Sequence, residues 1–187
     1  LFSNPIIGKN IVLVGTGSLG SSMSKLVAPL GANIIGVNKK GGQVEGCSEV
    51  ITIEKIDSVL PKADFLYLAL PETKETKNLI NEKRLNLLKK NCCIVNIGRQ
   101  SVMDYEILCE KLKNKEIAGA ILDVFTQEPV PANSKLWHTP NLVITPHVSS
   151  DDNGNYVNMT LNLFFRNLKL FLDNKELENK IDKNLGY

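Results

Sequence analysis

Short apolar runs alternate with amphipathic stretches along the chain. Seven runs predict strands, at residues 10–14, 33–37, 50–53, 65–68, 93–96, 118–122 and 142–144. They are continuously apolar rather than alternating, as parallel strands covered on both faces should be. The segments between them carry helical spacing. Leu19, Met23, Leu26, Val27 and Leu30 form one stripe, closed by Pro29 and Gly31. Asp104 is placed to cap a helix that buries Ile107, Leu108 and Leu112. A last long helix sets Leu161, Phe164, Phe165, Leu168, Phe171 and Leu172 on one face. The charged tail at 173–187 shows no partner pattern of its own. Strand–helix alternation of this kind predicts an α/β fold, a doubly wound parallel sheet with right-handed crossovers.

The 187 residues are 43% apolar and 22% charged, close to the average globular protein. That length suits one domain with appendages, burying roughly 70% of its unfolded surface. The formal charge is +2 and only three of the 22 basic residues are arginine, so nucleic acid is not an expected partner. No apolar run approaches the ~20 residues of a bilayer span, and the start lacks the pattern of a secretion signal, so no membrane association is expected either. Cys47, Cys92, Cys93 and Cys109 show no C-x-x-C spacing. They read as free thiols of a reducing, cytoplasmic compartment rather than a disulfide framework or a zinc site, and no metal is expected.

The first chemical signal is Gly15, Gly17 and Gly20, a GxGxxG set between a predicted strand and a predicted helix. A bare GxGxxG is weak, but this one has the strand–turn–helix context that dinucleotide binding requires. Gly15 permits the tight turn, Gly17 lets a pyrophosphate approach the backbone, and Gly20 lets helix and strand pack closely. The helix N-terminus then offers free N–H donors to the phosphates. An acidic residue normally ends the second strand to bind the ribose of NAD. Here Asn38, Lys39 and Lys40 stand there. A neutral amide does not repel a 2′-phosphate and two ammonium groups attract one, so NADP is slightly favoured over NAD.

Arg99, Glu128 and His147 follow the strands predicted at 93–96, 118–122 and 142–144. In a parallel sheet all strand C-termini open on one edge, where ligands bind. The three therefore share a rim with the glycine turn. A histidine–carboxylate pair beside an arginine suits hydride transfer at a carbonyl or alcohol carbon. His147 would be the general acid in reduction and the base in oxidation. Glu128 would orient the imidazole and favour its charged form, and Arg99 would grip a substrate carboxylate. Four prolines, Pro129, Pro131, Pro140 and Pro146, stiffen the connection from Glu128 to His147. The other histidine, His138, follows Trp137 and reads as a packing residue.

The ordered set VGTGSLG at 14–20, LPET at 70–73 running on to Thr76, NIGR at 96–99, AGAILDVF at 118–125 with Glu128 and Pro129, TPHV at 145–148 and DKNLGY at 182–187 resembles the D-isomer-specific 2-hydroxyacid dehydrogenases. The nearest likeness is to the nucleotide-binding domain of phosphoglycerate-dehydrogenase-like and hydroxypyruvate-reductase-like members. The resemblance implies a Rossmann-type domain at 8–172, with 1–7 and 173–187 as connectors towards a substrate domain absent from this chain. It implies interconversion of 2-keto and D-2-hydroxy acids, with Arg99, Glu128 and His147 catalytic, and a homodimer. It also implies that Ser18 and Leu19 meet the pyrophosphate, that Asn38 and Lys39 face the adenosine ribose, and that Pro71 and Thr76 line the adenine side. Ile97 and Asp123 would lie near the nicotinamide. Gln100 stands where the family usually has glycine. With the substrate domain missing, the chain is expected to bind cofactor and turn over poorly. The competing function is a dinucleotide-sensing or scaffold module that keeps the fold without turnover.

Overall fold

A computed structural model describes residues 5–183; residues 1–4 of the leader and 184–187 of the family-like ending lie outside the described residues. The chain divides into two units, Leu1–His147 and Val148–Tyr187.

The first unit is built on a seven-stranded sheet, and every pairing in it is parallel. Its strands are β1 (Asn10–Val14), β2 (Asn33–Asn38), β3 (Glu49–Thr52), β4 (Phe65–Leu68), β5 (Cys93–Asn96), β6 (Gly119–Leu122) and β7 (Leu142–Ile144), in the order β3-β2-β1-β4-β5-β6-β7. Every predicted strand is present. β3 lies one residue earlier than the apolar run suggests, because Ile53 opens a 3₁₀ turn rather than ending the strand. After β3 the chain returns to the far side of β1, so the order reverses between β1 and β4. That reversal opens a crevice at the strand C-termini. The register keeps those termini level: Val14 pairs with Val37 and Leu68, Leu68 with Asn96, Asn96 with Leu122, and Leu122 with Ile144.

The larger core joins one sheet face (Val12, Leu66, Ile94, Leu122) to the segments carrying Ile56, Leu85 and Leu108. Each fully buried aliphatic side chain contributes about 1.5–3 kcal/mol. A smaller cluster of Ile11, Leu13 and Ile34 packs with Met23 and Val27 of α1 (Ser18–Val27) on the other face. Of the predicted stripe, Met23 and Val27 face inward but the leucines do not. Leu26 and Leu30 remain 75% and 58% exposed, while Gly20 and Ser24 face inward. Gly20 sits so near the Gly15 carbonyl that only small residues fit on that side, and the Ser24 hydroxyl bonds the Glu45 carbonyl at 2.7 Å.

The second cluster reaches only as far as Phe65 and Tyr67 of β4. Ile121 and Val143, which the apolar strand pattern places under cover, are therefore 42% and 54% exposed. A short helix, α2 (Glu82–Leu85), is capped by Asn81. α3 (Tyr105–Lys113) starts as its sequence predicts, with the Asp104 carboxylate accepting from Glu106 N and Ile107 N. It buries Leu108 and Leu112 fully, whereas Ile107 is half-buried. His138, read as packed, is exposed; the Trp137 indole N–H bonds the Pro131 carbonyl at 2.9 Å.

The second unit consists of α4 (Tyr156–Leu172) and the tail that follows it. No residue of α4 is buried. The tail does find partners: Arg166 pairs with Glu178 at 3.0 Å, and Glu178 N donates to Asn167 Oδ1 at 2.8 Å. No described helix is long and apolar enough to cross a membrane.

Candidate active site

Gly15 follows β1 directly and its N–H bonds the Val37 carbonyl at 2.9 Å. Its φ of +96° is one that L side chains avoid, and a Cβ there would lie 2.5 Å from the Ala69 carbonyl oxygen. α1 begins at Ser18 with Gly17 as its N-cap and no side-chain cap. The N–H groups of Ser18 and Leu19 consequently have no intrahelical acceptor. A Cβ on Gly17 would meet nothing within 4 Å, so the space before these donors is open. This cradle fits a dinucleotide pyrophosphate.

Beside it, the Asn38 amide is engaged at both ends. Its Nδ2 donates to Thr16 Oγ1 at 2.8 Å, and its Oδ1 accepts from Lys40 N and Gly41 N at 3.0 and 2.7 Å. The neighbouring Lys39 ammonium bonds both oxygens of Glu75, a residue the sequence reading passed over. Thr76 is buried and donates to the Pro71 carbonyl at 2.7 Å, closing the loop after β4.

The second half of the site is carried by three adjacent strands. Asn96, the fully buried last residue of β5, shapes the turn that ends in Arg99. Its Oδ1 accepts from Gly98 N at 3.0 Å and its Nδ2 donates to the Arg99 carbonyl at 3.1 Å. The Arg99 guanidinium bonds the Gly98 carbonyl at 2.7 Å. Ile97 N bonds the Leu68 carbonyl at 3.1 Å, keeping that turn on β4. Gln100 takes the first place of a 3₁₀ turn at negative φ, so a glycine is not required there.

After β6, Asp123 is buried; its N–H bonds the Asn96 carbonyl at 3.0 Å and its carboxylate accepts from Thr145 Oγ1. Two residues on, Phe125 N donates to Glu128 Oε1 at 2.9 Å, and Glu128 Oε2 meets His147 Nδ1 at 2.8 Å. His147 itself sits at φ +58°. Glu128 and His147 are thus in direct contact across 19 positions of sequence. Arg99 stands on the same rim, with no hydrogen bond to that pair among the described residues.

The side chains binding these loops together were not singled out from the sequence. The Tyr105 hydroxyl accepts from Asn96 Nδ2 and donates to the Val124 carbonyl, both at 3.0 Å. It ties the Arg99 turn to the loop that holds Glu128. The available signals were a polar residue ending an apolar strand and a tyrosine just inside a helix cap. Burial pushes the Tyr105 phenol well above its usual range, so it stays a donor. An apolar cleft of about 360 Å³ flanks Glu128, lined by Phe125, Pro129, Trp137 and Ile144.

The Glu128 carboxyl is held below the usual carboxylate range, first by its hydrogen bond with His147 and then by the Phe125 N–H. A carboxylate depressed on folding stabilises the fold above its unfolded value of 4.5 and loses that contribution as pH falls through the folded value. Melting Glu128→Gln beside the parent chain from neutral to acid pH should therefore show the variant slightly less stable near pH 7, by under about 1 kcal/mol for so exposed a pair. The two curves should meet in acid. A gap unchanged by pH would mean that the ionised carboxylate is not the tether.

The profile of the family described as "D-isomer specific 2-hydroxyacid dehydrogenase, NAD binding domain" matches residues 1–149. A glyoxylate reductase of Thermofilum pendens is 39% identical over 144 residues, 76% of this chain and 42% of that protein. A family member from Aeromonas salmonicida superposes with a TM-score of 0.88 at 32% identity, covering 96% of this chain and 57% of that one. The NADPH-dependent glyoxylate/hydroxypyruvate reductase of Sinorhizobium meliloti, solved with NADP and sulfate, gives 0.91 at 28% identity, covering all of this chain and 60% of that one. The chain thus spans about half the length of the relatives it matches. With the glycine turn, the level strand ends and the profile in agreement, the chain belongs to the D-isomer-specific 2-hydroxyacid dehydrogenase family and carries its NAD-binding domain.

Proposed function

We propose that residues 8–172 form the dinucleotide-binding domain of an NAD(P)-dependent oxidoreductase that interconverts a 2-keto acid and a D-2-hydroxy acid. The observation that carries this reading is the 2.8 Å contact between His147 Nδ1 and Glu128 Oε2 on the edge where the glycine turn also opens. With Glu128 ionised, Nδ1 must carry a proton to donate, which leaves Nε2 to hold or take the proton that moves. His147 gives it to the carbonyl oxygen in reduction and removes it from the hydroxyl in oxidation. Arg99 binds the substrate carboxylate through its planar fork. Ser18 and Leu19 would hold the pyrophosphate through backbone N–H groups, with Ile97 and Asp123 towards the nicotinamide. The bound nicotinamide supplies or accepts the hydride.

NADP is accepted in this reading because position 38 is a neutral asparagine. The NADP-bound relative supports that. A homodimer belongs to the same reading, on family grounds, and sedimentation of the natural polypeptide checks it.

Two measurements test the proposal. Titrating the chain with NADPH and NADH should give saturable binding of both, and NADH tighter by roughly tenfold, about 1.4 kcal/mol, would remove the preference for NADP. The natural polypeptide should consume NADPH with glyoxylate or hydroxypyruvate, and not with an aldehyde lacking the carboxylate. Failure with every 2-keto acid would sink the assignment.

A further inference from the structure

Lys39 does not meet the ribose end of the site as an isolated cation. Its Nζ lies 3.0 and 2.9 Å from the two oxygens of Glu75, on the loop after β4. A second carboxylate, Glu54 on the 3₁₀ segment after β3, lies within the field of Lys39, which helps hold that carboxyl low after its bonds to Thr52 and its own backbone. A carboxylate from a separate element therefore already holds the ammonium that a 2′-phosphate would use. Asn38 supplies no compensating charge, and its amide is already committed to Thr16 and to the turn at Lys40 and Gly41.

We propose that Glu75 sets the choice between NADP and NAD, by competing with the 2′-phosphate for Lys39. This rests on the dinucleotide-binding reading above. A phosphate of charge near −2 has to draw Lys39 from Glu75 and then sit beside the vacated carboxylate. A ribose with a free 2′-hydroxyl does neither, and leaves the ion pair standing. Lys39 and Glu75 are 49% and 66% exposed. A pair so open to solvent is weak enough for a ligand to exchange. NADP is thus admitted by the neutral end of β2, at an affinity that Glu75 lowers.

The test is direct binding, by nicotinamide fluorescence, of NADPH and NADH to the 187-residue chain and its variants. Glu75→Gln should tighten NADPH about threefold to tenfold and move NADH less than about twofold. Glu54→Gln, acting from further off, should show the same sign and a smaller size. The Glu75→Gln gain should shrink when Lys39→Met is combined with it, and in ~1 M salt. Equal shifts for both cofactors, or none for NADPH, overturn the proposal. Absence of saturable binding by the parent chain overturns the dinucleotide reading with it, and the parent titration reveals that before any variant is made.

Discussion

Replacing His147 by Asn should lower 2-keto acid reduction by the natural polypeptide about a thousandfold and leave the NADPH dissociation constant within about twofold. A positioned acid–base group typically contributes ~10²–10⁴ in rate. Asparagine can bond to Glu128 but has no group that exchanges a proton near neutrality. The choice of Asn rather than Ala follows from the backbone. His147 sits at φ +58°, a left-handed conformation in which His and Asn are enriched over most residues, Ala included. Alanine would also remove the side-chain bond to Glu128 and so confuse lost chemistry with a displaced loop. Steady-state rates with hydroxypyruvate, beside an NADPH titration and a melting curve for each protein, separate the two. An unchanged rate would refute the acid–base role. Cofactor-dependent signalling with no turnover in either protein would favour the sensing module instead.

The seven strands are legible because a parallel strand buried on both faces leaves a continuous apolar run, and a run of four or five residues leaves little freedom in its ends. Placing Arg99, Glu128 and His147 on one rim needs only the rule that parallel strands finish on the same edge. What spacing does not contain is the contact itself. Glu128 reaches His147 through a loop whose path depends on the Phe125 N–H, on Tyr105 bonding Val124 and on Trp137 bonding Pro131.

The same limit hides Glu75, which lies 36 positions from the lysine it engages. On α1, Met23 and Val27 are legible as inward residues, but Gly20 and Ser24 are not, for another reason. Hydrophobic spacing assumes that the largest apolar side chains turn inward. Here the separation of helix and strand is set by backbone contact at Gly20, which admits Ser24 and turns Leu26 outward. Ile121 and Val143 show that an apolar strand pattern reports what a face can bury, not what covers it.

Gly20→Ala should be the most damaging of the conservative changes, lowering stability by about 3 kcal/mol and removing measurable dinucleotide binding. Helix propensity alone points the other way, since Ala is better than Gly in a helix interior by about 1 kcal/mol. Close packing decides against it. A Cβ at position 20 would lie 2.0 Å from the Gly15 carbonyl oxygen and 3.0 Å from its carbon, both backbone atoms. The Gly15 turn cannot give way. Its N–H is fixed to Val37, and its own Cα already lies so near Ala69 that a Cβ would fall 2.5 Å from that carbonyl oxygen.

The start of α1 has to lift instead, which moves Ser18 and Leu19 away from the phosphate position and opens the packing of Met23 and Val27 on Ile11 and Leu13. Overpacking against fixed atoms costs about 1–3 kcal/mol or more. For a chain of this size that corresponds to a melting temperature lower by roughly 6–12 °C. Gly17→Ala is the contrasting variant, because a Cβ there meets nothing within 4 Å. It should melt within about 2 °C of the parent, yet bind dinucleotide more weakly, since the methyl group occupies the space a pyrophosphate needs. If Gly20→Ala melts with the parent and still binds NADPH, helix and strand do not touch at this point, and the glycine turn is not the rigid cradle on which cofactor binding depends.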